Sequence, residues 1–71
     1  MIKLVREISV VQHIECLSIY DIITDELIGV IYGRVEVTAS YITVNQSSGS
    51  VARFYHRAGL FEDRINKKGG D

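Results

Sequence analysis

The densest group of chemically useful side chains is Arg53-Phe54-Tyr55-His56-Arg57. As a strand it places Arg53, Tyr55 and Arg57 on one face and Phe54 and His56 on the other. As a helix it still leaves Arg53 and Arg57 as neighbours four residues apart. Two guanidinium groups flanking a phenol suit phosphate pairing with a base stacked on the ring, which is how single-stranded DNA or RNA is held without sequence preference. Lys67 and Lys68 extend the basic strip. The same residue types dominate protein–protein contacts. A third account treats them as exposed strand residues, paired with carboxylates such as Glu36 or guarding a sheet edge from wrong pairing.

Other constellations are thinner. His13 and Cys16 are residue types found in metal and Cys–His catalytic sites. On one strand, however, positions 13 and 16 point to opposite faces, and no further Cys or His lies close by in sequence. Cys16 therefore reads as a small buried core residue. The acidic pairs Asp25-Glu26 and Glu62-Asp63 are adjacent residues that do not converge on one substrate, and they read as solvated turn and helix-start positions. The chain has no G-x-S-x-G, P-loop, dinucleotide-binding or H-E-x-x-H pattern. The expectation is a protein that is not an enzyme, with no catalytic residues, metal or cofactor.

Length and composition set the frame for these residues. A chain of 71 residues is one small domain, too small for a large cleft, since chains of this size bury only ~60% of their unfolded surface. Yet 46% of it is hydrophobic, with ten isoleucines and eight valines. That excess over what a small interior can hold points to contact with another chain. The net charge of −1 is too small to steer the molecule strongly toward a polyanion. Residues 1–35 carry three basic and five acidic side chains and residues 36–71 five and four, so neither half stands out. A lone cysteine cannot staple a secreted domain, which favours a cytoplasmic setting. Polar residues from Glu7 to Glu15 interrupt any signal-like apolar stretch, and no run approaches the ~20 residues needed to span a bilayer.

The elements that must position these residues read mostly as strands. Ile8 to Cys16 alternates largely with period two, which predicts a strand with a bulge near Val11-Gln12. Thr24-Asp25-Glu26 separates two β-branched or aromatic runs and predicts a hairpin turn. Arg34 to Ala39, Tyr41 to Asn45 and Val51 to Tyr55 alternate again, with Asn45 to Ser50 as a polar loop. Leu27-Ile28-Gly29-Val30-Ile31-Tyr32-Gly33 has neither charge nor proline and would be an aggregation hazard at an open edge. It is expected to be covered, as a central strand or in an interface with a second copy or a partner. Residues 57–71 suit a short helix followed by a flexible tail, with Glu62 and Asp63 early, Lys67 and Lys68 late and Gly69-Gly70 as the stop.

The expected fold is mainly β: one small antiparallel sheet of about five strands, curled toward a barrel, with a short C-terminal helix or tail. An α+β fold is the alternative. The expected function is that of a small non-enzymatic interaction protein. It would self-associate and act as a regulator or inhibitor by binding a partner protein, without a membrane, through Tyr41, Arg53, Tyr55 and Arg57. The alternative is a nucleic-acid-binding module gripping single-stranded DNA or RNA through Arg53, Tyr55, Arg57, Lys67 and Lys68. The near-neutral charge favours the first, because phosphate binding at physiological salt grows with the number of cations engaged.

Overall fold

A computed structural model describes residues 1–55 and 60–65. It contains seven strands: β1 (Ile2–Ile8), β2 (Glu15–Asp21), β3 (Leu27–Tyr32), β4 (Arg34–Val37), β5 (Tyr41–Asn45), β6 (Val51–Tyr55) and β7 (Phe61–Asp63). They form two open sheets, one ordered β3-β2-β1-β7 and the other β4-β5-β6. The fold is mainly β as expected. The single sheet of about five strands is replaced by these two, and neither closes into a barrel.

The expected strand from Ile8 to Cys16 is instead the end of β1, a turn and the start of β2. Its polar residues do turn chemistry. The Ser9 hydroxyl accepts the Gln12 amide at 3.1 Å, the His13 amide donates to the Ser9 carbonyl at 2.8 Å, and His13 takes a left-handed φ of 61°. The β2–β3 turn repeats this construction. The Asp21 carboxylate accepts the Ile23 and Thr24 amides at 2.8 and 3.0 Å, the Asp25 amide reaches the Asp21 carbonyl at 2.8 Å, and Asp25 has φ 61°. Asp is among the residues that tolerate this conformation best, and short polar side chains that bond their own backbone favour turns over continued strand. Both turns carry aliphatic pairs at their tips, Val10-Val11 and Ile22-Ile23, and all four residues are exposed.

The core lies between the sheets. Leu4 and Leu17 on one side meet Val35, Ile42 and Val44 on the other, with Ile19, Ile31, Ala52, Phe54 and Phe61 packed around them. The alternation of β4 to β6 sends Val35, Ile42, Val44, Ala52 and Phe54 inward as their sequence period requires. Gly33 is the corner at which the chain leaves the first sheet and enters the second. Its amide donates to the Glu15 carbonyl at 3.0 Å, and the Asn45 carbonyl lies where a Cβ would stand.

The C-terminal helix expected over residues 57–68 is not formed in the part that is described. Phe61 to Asp63 is a strand, paired in parallel with Leu4 to Arg6. The Leu4 amide donates to the Leu60 carbonyl at 3.0 Å and the Arg64 amide to the Arg6 carbonyl at 2.8 Å. Asp63 joins Arg6, and Glu62 joins Lys3 and Arg64, instead of complementing a helix dipole. The rest of the expected helix and tail lies outside the described residues. Among the described residues no helix is long and apolar enough to cross a membrane.

Candidate interaction surface

The outward face of the β4-β5-β6 sheet is set by strand register. Tyr41 lies opposite Tyr55, and Thr43 opposite both Arg53 on β6 and Glu36 on β4. Three of the residues singled out from sequence, Tyr41, Arg53 and Tyr55, therefore meet. The Arg53 guanidinium carbon sits 4.7 Å from the centroid of the Tyr41 ring, a diagonal cross-strand contact. The Tyr41 and Tyr55 rings stand edge to face, 6.1 Å apart with 70° between their planes. Tyr55 is 80% exposed. Arg57, Lys67 and Lys68, as well as His56, lie outside the described residues.

Local hydrogen bonds hold this cluster in place. The Thr38 hydroxyl accepts the Ser40 and Tyr41 amides at 3.3 and 3.1 Å, and the Thr38 amide donates to the Tyr41 carbonyl at 2.9 Å, so the first residue of β5 is clamped to the end of β4. At the other end the Gln46 amide donates to the Ser50 carbonyl at 2.9 Å and Gly49 takes a left-handed φ of 95°, closing the β5–β6 hairpin. Glu36 does not pair with Arg53 across the sheet. It accepts from Arg34 on its own strand at 2.6 Å, and that bond holds its carboxyl below the usual range. Arg53 has no carboxylate partner among the described residues, and its cation rests on an aromatic face.

A second polar cluster, on the outward face of the other sheet, was not legible because β1 was not read as a strand. Arg64 Nη1 donates to Glu7 at 3.1 Å and Arg64 Nε to Glu62 at 2.6 Å; the Tyr20 hydroxyl donates to Glu7 at 3.0 Å, and Lys3 pairs with Glu62 at 3.4 Å. These side chains roof over Val5, Cys16 and Ser18, which are 2% exposed or less although they face away from the core. The i, i+4 spacing of Lys3 and Glu7 around Val5 is the sequence trace of this face. Burial pushes the Cys16 thiol up, as it does the Tyr20 phenol. Cys16 and His13 do not form a site: His13 is an exposed turn residue, and among the described residues no three His, Cys, Asp or Glu side chains gather as a metal would need.

No family model, no curated protein and no solved structure matches this chain.

Several carboxyls titrate low, which predicts acid lability. The Thr24 and Ile23 amides hold Asp21 below its ordinary value, Arg34 does the same for Glu36, and Arg64 for Glu62. A carboxyl whose pKa is depressed by folding adds stability above its unfolded pKa of about 4, and that stability is lost as pH falls through the folded value. The melting temperature is expected to be flat from pH 7 to about pH 5 and to fall from about pH 4 downward. A melting temperature unchanged at pH 3 would contradict these pairings.

Proposed function

We propose that this chain is a non-enzymatic interaction protein that acts as a regulator or inhibitor by laying the Tyr41, Arg53 and Tyr55 face of the β4-β5-β6 sheet on a partner protein. The observation that carries this reading is the exposed Arg53–Tyr41–Tyr55 stack: an arginine with its charge on a ring, beside a tyrosine that is 80% exposed. Tyrosine and arginine are the residue types enriched among binding hot spots, since each offers a large contact area together with a polar tip. The Arg53 guanidinium and the Tyr55 ring both contact the Tyr41 ring across the hairpin, so less side-chain freedom is lost on binding. Thr43, in the row beside them, is 8% exposed, which leaves a shallow floor between the Arg53 and Glu36 side chains.

A nucleic acid is the competing ligand for an arginine on an aromatic ring. The described part of this face offers two arginines, Arg53 and Arg34, the second neutralised by Glu36, and the chain as a whole carries a net charge of −1. That favours a protein, because oligonucleotide affinity at physiological salt scales with the number of cations that reach phosphates.

The test compares the wild type with Tyr55→Ala and Arg53→Ala, each checked for an unchanged β-type circular dichroism spectrum. Quantitative capture from cell extract at ~150 mM salt is followed by titration of the captured protein. Each substitution is expected to weaken that complex by at least about 30-fold, the scale of a hot-spot residue. A complex of equal affinity with both variants would remove this face from the contact. Fluorescence anisotropy of labelled single-stranded DNA and RNA at ~50 and ~200 mM salt is run in parallel. Saturable binding that collapses at the higher salt and is lost in Arg53→Ala would replace the protein partner with a nucleic acid.

A further inference from the structure

Each sheet has two edge strands, and three of the four carry charges. β4 bears Arg34 and Glu36, β6 bears Arg53, and β7 bears Glu62 and Asp63. Charged side chains on an edge are a common protection against pairing with another chain. β3, Leu-Ile-Gly-Val-Ile-Tyr, has none. Among the described residues the segment expected to be covered stands at the open edge of its sheet, with Leu27 and Ile28 55% and 58% exposed.

We infer that β3 is the dimerisation strand, pairing antiparallel with β3 of a second copy about a two-fold axis through Val30. The ladder defines which groups are free. The Gly33 amide bonds the Glu15 carbonyl of β2, and Ile31 lies opposite Leu17, so the odd-numbered residues turn their backbone groups toward β2. By alternation the N–H and C=O of Val30 and Tyr32 point away from β2, toward the edge. The register shift in β3 opposite Ile19 and Tyr20 falls at Ile28, leaving Gly29 to Tyr32 regular. A bulge is another device that spoils an edge, and here it spoils only one end.

An axis through a residue, rather than between two, keeps both sheets the same way up, since opposed residues in an antiparallel pair share a face. Val30 then meets Val30 of the second copy, and Ile31 meets Gly29. A Cβ built on Gly29 has nothing within 4 Å, so there is room there for an isoleucine side chain. An antiparallel edge is self-complementary in this way, and the pairing closes because it consumes both unguarded edges. The occupant is therefore a second copy of this chain. The inference concerns the other sheet and stands apart from the surface proposed above.

Sedimentation velocity and hydrogen exchange on the wild-type chain provide the first test. The expected species has twice the 8.0 kDa chain mass, and the Val30 and Tyr32 amides become more protected as protein concentration rises. A monomer at ~1 mM, or amides whose exchange does not depend on concentration, would overturn the inference. Val30→Lys and Val30→Glu supply the second. Each places like charges across the axis and is expected to raise the dimer dissociation constant at least tenfold. A one-to-one mixture is expected to restore a dimer of mixed composition. Folded variants that stay dimeric separately, or that fail to pair when mixed, would show that the axis does not pass through Val30. If either variant fails to fold, the wild-type exchange data decide. Loss of this dimer with Tyr41, Arg53 and Tyr55 binding intact, or the reverse, separates the two proposals.

Discussion

Gly33→Ala is expected to remove most of the chain's stability at 25 °C. A Cβ at this corner stands 2.5 Å from the Asn45 carbonyl oxygen and 2.9 Å from its carbon, with Val44 Cγ1 at 3.0 Å. The first two are backbone atoms of β5, the central strand of its sheet, so they cannot swing aside as the end of a flexible side chain would. The φ of Gly33, 156°, adds to the cost because side chains rarely adopt it. Moving the strand would break the Gly33 amide bond to Glu15 and disturb the β4–β5 pairing of Val35 with Val44, whose side chains pack on Leu4 and Leu17 of the other sheet. Losses above about 4 kcal/mol come from a short list of mechanisms, and forced backbone displacement at a special conformation is among them. A domain of this size has roughly 4–10 kcal/mol in total, so one such change removes most of it. Gly29→Ala is the control: it faces open space, and replacing a strand glycine there is expected to change stability by less than about 1 kcal/mol. Urea unfolding followed by circular dichroism reads both. A Gly33→Ala chain as stable as the wild type would mean that the corner is not built as described.

Arg6→Met is expected to cost about 2–3 kcal/mol, an estimate set below the cost of breaking a fully buried ion pair. The Arg6 guanidinium donates to Glu15 at 2.8 Å and to both oxygens of Asp63 at 3.0 and 3.2 Å, and these three side chains are between 20% and 26% exposed. The bond to Glu15 is the main reason the guanidinium holds its proton more tightly than usual. Glu15 also accepts the Val35 amide at 3.0 Å, so one arginine ties β1, β2 and β7 to the first residues of β4. Removing the cation leaves two half-buried carboxylates facing each other. The second substitution, Asp63→Asn, is expected to cost less, because an amide oxygen still accepts from Arg6 and Glu15 keeps its partner. Equal losses for the two, measured as urea midpoints, would place the importance on Asp63 rather than on the arginine. A change of less than about 0.5 kcal/mol in Arg6→Met would make the cluster an ordinary surface pair.

Strands whose neighbours in sequence are also their neighbours in space were the legible ones. Tyr41–Asn45 and Val51–Tyr55 alternate cleanly, are joined by a short polar loop and form a hairpin with the boundaries their pattern implies. The Tyr41, Arg53 and Tyr55 cluster follows from that hairpin, since one register sets all three side chains on one face. β1 and its turn were harder. Val10 and Val11 look like strand residues, and only the hydrogen bonds of Ser9 and the left-handed His13 show that they cap a turn. β7 was misread because its three residues suit a helix start as well as a strand. Their pairing with β1 lies 57 residues away in sequence, and no local pattern encodes it.

By itself the sequence determined an all-strand bias through its β-branched content, the β5–β6 hairpin, the β2–β3 turn and the kinds of side chain that one sheet would display. These are short-range matters of steric preference and turn chemistry, settled within a few residues. Tertiary structure decided that the strands divide into two sheets at Gly33, that β7 closes one edge in parallel, that Arg53 rests on Tyr41 rather than pairing with Glu36, and that β3 is left at an open edge. Each of these depends on which distant segments bury their apolar faces together. That balance is struck over the whole chain, where the packing of Leu4 and Leu17 on Val35, Ile42 and Val44 outweighs the local preference of any one segment.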